Sequence, residues 1–149
     1  MKKQLFFSSS LTLTFGCLIY VLFRSDSLKR HVWFDKLYCL GILKDIRAVA
    51  MEFVDVVPNW MLYSLPDGLW LSSCISLILI IWKNKMTKGS LFLIFSMPVI
   101  AFLSEAGQFF KIIPGTFDWM DLAMYLLGTL FPLMIYRKMK GVLKDERKE

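Results

Sequence analysis

The sequence predicts an all-α protein, an integral membrane bundle of four transmembrane helices with an amphipathic interfacial helix between the first two. Three observations carry that expectation. The 149 residues are 56% hydrophobic and 15% aromatic, with a mean hydropathy of +0.54, too apolar for an ordinary soluble domain and long enough for one domain only. Four apolar windows approach the roughly 20 residues that cross a bilayer core. Charged residues fall mainly between and beyond those windows.

The first window, Leu5–Phe23, follows Lys2 and Lys3. Its stretch up to Gly16-Cys17 has the outline of a lipoprotein signal. However, Thr14 and Phe15 stand where an aliphatic and a small residue are wanted, and the apolar run continues to Phe23. A retained span is the better reading. Ser8, Thr12 and Gly16 recur every four residues, a stripe of small side chains that lets another helix approach closely.

Residues 24–65 are neither polar enough for a solvated loop nor apolar enough to span. Within 31–57, Val32, Leu37, Leu40, Leu43, Ile46, Val49, Phe53 and Val57 recur at helical steps, interrupted by Lys36, Lys44, Asp45, Arg47, Glu52 and Asp55. That pattern predicts an amphipathic helix on the membrane surface or over the mouth of the bundle. His31, the only histidine, has no second ligand nearby, and Cys17, Cys39 and Cys74 show no metal-ligand spacing. No glycine-rich phosphate loop is present, and no cofactor is expected.

The second span is read as 66–82, from Pro66 to Trp82. Ser64-Leu65-Pro66-Asp67 has the spacing of a capping box with proline in the first turn. The third span, 90–110, and the fourth, 119–136, are joined by a turn at Pro114-Gly115. Asp118 and Asp121 head the fourth span, Asp118 at the cap and Asp121 one turn in. A basic tail, 137–149, follows.

Basic residues set the orientation. With both termini and the loop 83–89 in the cytoplasm, eleven Lys and Arg against three acids lie inside, and seven against nine lie outside. The inner face is then +8 and the outer −2, so the net charge of +6 is a topological signal and implies no nucleic acid. Arg24, Lys29 and Arg30, directly after the first span, run against the rule. The expected location is the plasma (inner) membrane, multi-pass, with the bilayer itself as the first partner.

The stretch from Glu105 to Gly128 carries the candidate site. Glu105 follows mostly apolar sequence near the end of its helix, where the dipole disfavours an anion, and Gln108 shares its face. The turn back through Pro114-Gly115 brings Asp121 opposite Glu105, with the hydroxyl of Tyr125 one turn deeper. Asp67 heads another span on the same side. A carboxylate in or near hydrocarbon costs kilocalories, so these groups are either caps, protonated partners of a neighbouring helix, or a site.

The order Glu105, Gln108, Pro114, Gly115, Phe117, Asp118, Asp121 and Gly128, with Asp67 at the second span, resembles the signature of VanZ-like membrane proteins. The chain departs from that pattern at several points. No arginine follows the Pro-Gly turn, Tyr125 stands where asparagine is usual, and Gly68 and Leu71 replace a lysine and a histidine. The resemblance implies a four-helix envelope protein from a family linked to tolerance of glycopeptide antibiotics, and it supplies no reaction.

Three classes of function fit. The preferred one is a binding or accessory protein, in which Glu105, Gln108, Asp118, Asp121, Tyr125 and Asp67 hold a cationic, hydroxyl-rich or amide-bearing group of an envelope lipid or cell-wall fragment. Alternatives are a structural subunit of a membrane assembly or homo-oligomer, using the interfacial segment and the Ser8 stripe as contacts, and a membrane enzyme holding a hard cation such as Mg²⁺. No paired nucleophile is visible, and the acids lie at one rim rather than along a transport path.

Overall fold

A computed structural model describes residues 2–23, 40–83 and 85–145, and among them every regular element is a helix. There are five: α1 (Lys2–Phe23), α2 (Leu40–Glu52), α3 (Asn59–Ile81), α4 (Lys88–Phe109) and α5 (Trp119–Asp145). Four of them, all but α2, are long and apolar enough to cross a membrane. The expected bundle therefore has its four long helices, with the start of one moved upstream. His31, Cys39 and the rest of 24–39 lie outside the described residues, so only the second half of the expected amphipathic segment is seen, as α2.

The correction concerns α3. It begins at Asn59 and not at Pro66, with Pro58 as its N-cap at φ −58 and ψ 140. Ser64 to Asp67 is therefore no capping box, and Pro66 lies inside the helix, fully buried. A proline there removes the hydrogen bond to the carbonyl four residues earlier. Helix packing on both sides holds the helix through that gap, and the run Trp60-Met61-Leu62 extends its apolar surface upstream. At the other end, α5 runs on as helix into the expected basic tail, to Asp145. Its Arg, Lys, Met and Leu residues are good helix formers.

α3 is the centre of the molecule, packing along its length against α1 on one side and α5 on the other. Half of its apolar window is buried, against about a quarter in the other long helices. α4 is peripheral, touching α3 and α5 more sparingly, and Phe92, Ile100 and Leu103 stand 73%, 64% and 63% exposed on its outer side.

Small residues allow the two close contacts of α3. On α1 the buried stripe is Leu5, Ser9, Thr12 and Gly16, steps of four, three and four that keep one face on α3. The Ser9 and Ser73 hydroxyls lie 3.0 Å apart, and Ser9 Oγ is 3.2 Å from the Ser73 carbonyl it donates to. Gly16 leaves room for the Trp70 indole, which would lie 2.8 Å from a Cβ there. Thr12 and Gly16 of the expected contact stripe are thus spent inside the molecule. On the other side Gly68 crosses Gly128: a Cβ on Gly128 would overlap the Gly68 carbonyl, and one on Gly68 would stand 2.6 Å from the Met124 carbonyl oxygen.

A core of Leu5, Leu71, Ile75, Leu79, Ile94 and Tyr136 closes the end of the bundle opposite Glu105. At the start of α4, Thr87 accepts from the Ser90 amide at 3.3 Å while Ser90 Oγ accepts from the Thr87 amide at 2.8 Å, a reciprocal capping box. α2 is tied to the end of α1 by Arg47, whose Nη1 donates to the Val21 carbonyl at 2.6 Å. That carbonyl is one of those a helix end leaves without a backbone partner.

Candidate functional site

Glu105 lies on the inward stripe of α4 with Ile94, Pro98, Ala101 and Gln108. It is 2% exposed, the only charged residue among the fully covered ones in the described part of the chain. Past it, α4 ends in a Schellman turn: Lys111 takes a left-handed φ of 57, its amide donates to the Gln108 carbonyl at 2.9 Å, and the Ile112 amide donates to the Gly107 carbonyl at 2.8 Å. The chain then passes Gly115, at φ +144, and enters α5 through Asp118.

Asp118 caps α5, its Oδ1 accepting from the Met120 amide at 2.9 Å. In a capping box the residue three positions on, here Asp121, would accept from the cap's own amide. Glu105 takes that place across helices, its Oε2 accepting from the Asp118 amide at 3.4 Å. The carboxylate that no cap of its own helix explains is therefore a partner in the cap of the next. It also faces the positive end of the α5 dipole.

The structure gathers five of the six expected residues. Asp67, Asp118 and Asp121 all lie within electrostatic reach of Glu105, and Tyr125 is within reach of Asp67, Asp121 and Glu105. Among the described residues, the charged groups acting on Glu105 are Asp121, Asp118 and Asp67. The earlier start of α3 places Asp67 in that helix's third turn, so capping does not account for it. Asp121 and Tyr125 continue the inward stripe of α5 above Gly128, Pro132 and Tyr136. Gln108 is the exception. Its amide packs over Gly115, where a Cβ would lie 2.7 to 3.0 Å from it, and it makes no hydrogen bond to Glu105.

Aromatic rings surround this rim. Phe110, Phe109, Phe117 and Trp119 form a chain of edge-on contacts with centroids 5.3, 5.2 and 4.9 Å apart, and Phe102 meets Tyr125 at 6.2 Å. An apolar cavity of about 360 Å³ lies among Phe102, Phe109, Phe110, Phe117 and Trp119. Among the described residues, no three His, Cys, Asp or Glu side chains converge closely enough to hold a metal ion. The acids form a loose group at one end of the bundle.

A column of hydroxyls escaped the sequence reading. Ser64, Ser72 and Ser76 of α3 are buried, and their Oγ atoms have no hydrogen-bond partner; nor has Ser8 Oγ on α1. The signal was the four-residue step of Ser64, Gly68, Ser72 and Ser76 inside an apolar run.

Fold and site together define an all-helical protein with four helices able to cross a membrane and a carboxylate group at one end of them. Compared with protein-family models, with curated proteins and with solved structures, the chain matches none.

Proposed function

We propose that this is a multi-pass membrane protein of the cell envelope whose acidic rim binds a cationic, hydroxyl-rich or amide-bearing group of an envelope lipid or cell-wall fragment. One observation carries the reading. Asp67, Asp118 and Asp121, drawn from α3 and the start of α5, all oppose the charge of Glu105 on α4. Like charges held together are costly, and a positively charged or strongly donating ligand relieves that cost.

The topology follows from the charges: both termini and residues 83–89 cytoplasmic, the acidic rim outside. α2 lies at the outer interface. Ile46 and Val49 of α2, with Phe53 and Val56 in the turn that follows it, are 49%, 58%, 57% and 80% exposed, an apolar surface that suits the boundary between headgroups and acyl chains. The likeness of the Glu105–Gly128 stretch to VanZ-like proteins fits the same picture and extends it to tolerance of glycopeptide-type antibiotics or envelope stress. The metal-enzyme alternative has no converging set of ligands among the described residues to support it.

The test is the melting temperature of detergent-purified protein, wild type against Glu105→Gln and Asp121→Asn. Each is measured with Mg²⁺, Ca²⁺, and a panel of envelope lipids and cell-wall fragments. A ligand of the native state must raise the melting point. The expected result is a shift for the wild type that both variants lose. If nothing in the panel shifts the wild type and both variants melt lower without ligand, the rim is a structural joint and the proposal is wrong.

A further inference from the structure

α5 is longer than a membrane crossing needs. It runs from Trp119 to Asp145, whereas its stretch apolar enough to span a bilayer ends at Lys138. Residues 139–145 carry the helix about 10 Å further at 1.5 Å per residue, and the headgroup layer on each side of a bilayer core is roughly 5–8 Å deep. The helix therefore passes through the whole headgroup layer, and it carries Arg137, Lys138, Lys140 and Lys144 there.

Helical register orders these residues. Arg137, Lys140 and Lys144 follow one another at steps of three and four and share one stripe. Met139, Val142 and Leu143 share another, which continues the buried Tyr136. Neighbours on a stripe stand about 5–6 Å apart, so one phosphate fits between two of the cations. The rest of this end has the same sign. Leu5, Leu79, Ile94 and Tyr136 meet in one core, so the start of α1, the turn from α3 to α4 and the end of α5 lie together. Lys3, Lys83, Lys85, Lys88, Arg137 and Lys138 are exposed there, and within 2–4, 83–89 and 137–145 the only acid among the described residues is Asp145. The positive-inside rule accounts for the number of cations on this face. It does not account for their alignment along a helix that continues through the headgroups.

We infer that the stripe of Arg137, Lys140 and Lys144 binds anionic phospholipid headgroups of the leaflet that borders it. Basic clusters directly beyond a span are drawn to anionic lipid, and the arginine fork matches phosphate oxygens. The unbroken helix fixes the three positions at headgroup depth. The inference rests on the four long helices crossing a membrane and not on the acidic rim.

Electron spin resonance of spin-labelled lipids measures the contact. Protein in phosphatidylcholine vesicles is given labelled phosphatidylglycerol or labelled phosphatidylcholine, and the fraction of each held at the protein gives their relative association. The wild type is expected to prefer phosphatidylglycerol about fivefold, the factor that one basic residue at an anionic surface contributes, and high salt should remove most of the preference. The triple variant Arg137→Gln, Lys140→Gln, Lys144→Gln should bring it below about twofold, with helix content unchanged because glutamine is a good helix former. A second variant keeps the net charge and disperses the stripe: Lys140→Met and Lys144→Val together with Met139→Lys and Val142→Lys. It should lose as much as the first, while Glu105→Gln keeps the wild-type preference. A wild type that draws both lipids equally overturns the inference. So does a dispersed variant with the full preference, which makes net charge alone the cause, or a preference lost in Glu105→Gln. Protein that fails to enter vesicles refutes the four-span reading itself.

Discussion

The Gly68–Gly128 crossing is the point at which a single methyl group tests the packing of α3 on α5. In Gly68→Ala the new Cβ would stand 2.6 Å from the Met124 carbonyl oxygen and 3.0 Å from its Cβ. The nearest atom is backbone, so no side-chain rotation relieves the overlap. Restoring an ordinary separation of about 3.4 Å opens the helices by about 0.8 Å, and a gap of that size forfeits a quarter to a half of the dispersion between facing atoms. Overpacking of this kind costs about 1–3 kcal/mol, against which alanine regains about 0.5–1 kcal/mol of helix propensity. The net expectation is a loss of about 1–2 kcal/mol. Gly89→Ala is the control, because its Cβ meets nothing within 4 Å, and it should gain about 0.5–1 kcal/mol. Denaturant unfolding in mixed micelles, followed by tryptophan fluorescence, compares the two. Gly128→Ala, whose Cβ overlaps the Gly68 carbonyl, should lose most, and Gly16→Ala less than Gly68→Ala, because the Trp70 ring it meets can shift. If Gly68→Ala is as stable as Gly89→Ala, α3 and α5 do not cross at these glycines and the central position of α3 is wrong.

Three further outcomes follow from the helix ends. Thr87→Ala removes one half of the α4 capping box and should cost about 1 kcal/mol in the same unfolding assay, with Thr87→Ser close to wild type. Lys111→Gly relieves a side chain held at φ 57 in the Schellman turn and should stabilise by about 1 kcal/mol, whereas Gly115→Ala, at φ +144 and against Gln108, should destabilise. Arg47→Ala removes the donor to the Val21 carbonyl, so amide exchange in α2 should quicken while α3 keeps its protection; unchanged exchange in α2 relative to the wild type would contradict the docking of α2 through Arg47.

The four long helices were legible because each is a nearly unbroken apolar run of spanning length, a signal that needs no tertiary information. Their ends were less so. Pro66 reads from sequence as a helix start, since an interior proline forfeits a hydrogen bond. Only the packing of α3 between two neighbours shows why the helix runs through it from Asn59. Thr12 and Gly16 were legible as small residues made for close approach, but sequence cannot say whether such a stripe meets a helix of the same chain or another; here it meets α3. The candidate site was legible in membership and not in geometry. Charged residues in apolar sequence draw attention singly, whereas the displacement of Gln108 onto Gly115 and the reach of Glu105 to the Asp118 amide depend on the φ values of a turn.

That reach joins the site to the fold. α4 is the least embedded of the long helices, and beside its packing on α3 and α5 its end is joined to the cap of α5 by the hydrogen bond from the Asp118 amide to Glu105. The same carboxylate sits among Asp67, Asp118 and Asp121, which oppose its charge. Attraction to the α5 amide and dipole and repulsion from three acids thus meet on one residue. On the function proposed, a cation or strong donor at the rim would remove the repulsion and leave the attraction, drawing the end of α4 toward α5. Because the aromatic chain from Phe110 to Trp119 bridges those same two ends, its rings must move with them. Occupancy of the acidic rim is on that proposal tied to the tightness of the α4–α5 joint, and a ligand that binds without tightening that joint would not be acting on Glu105.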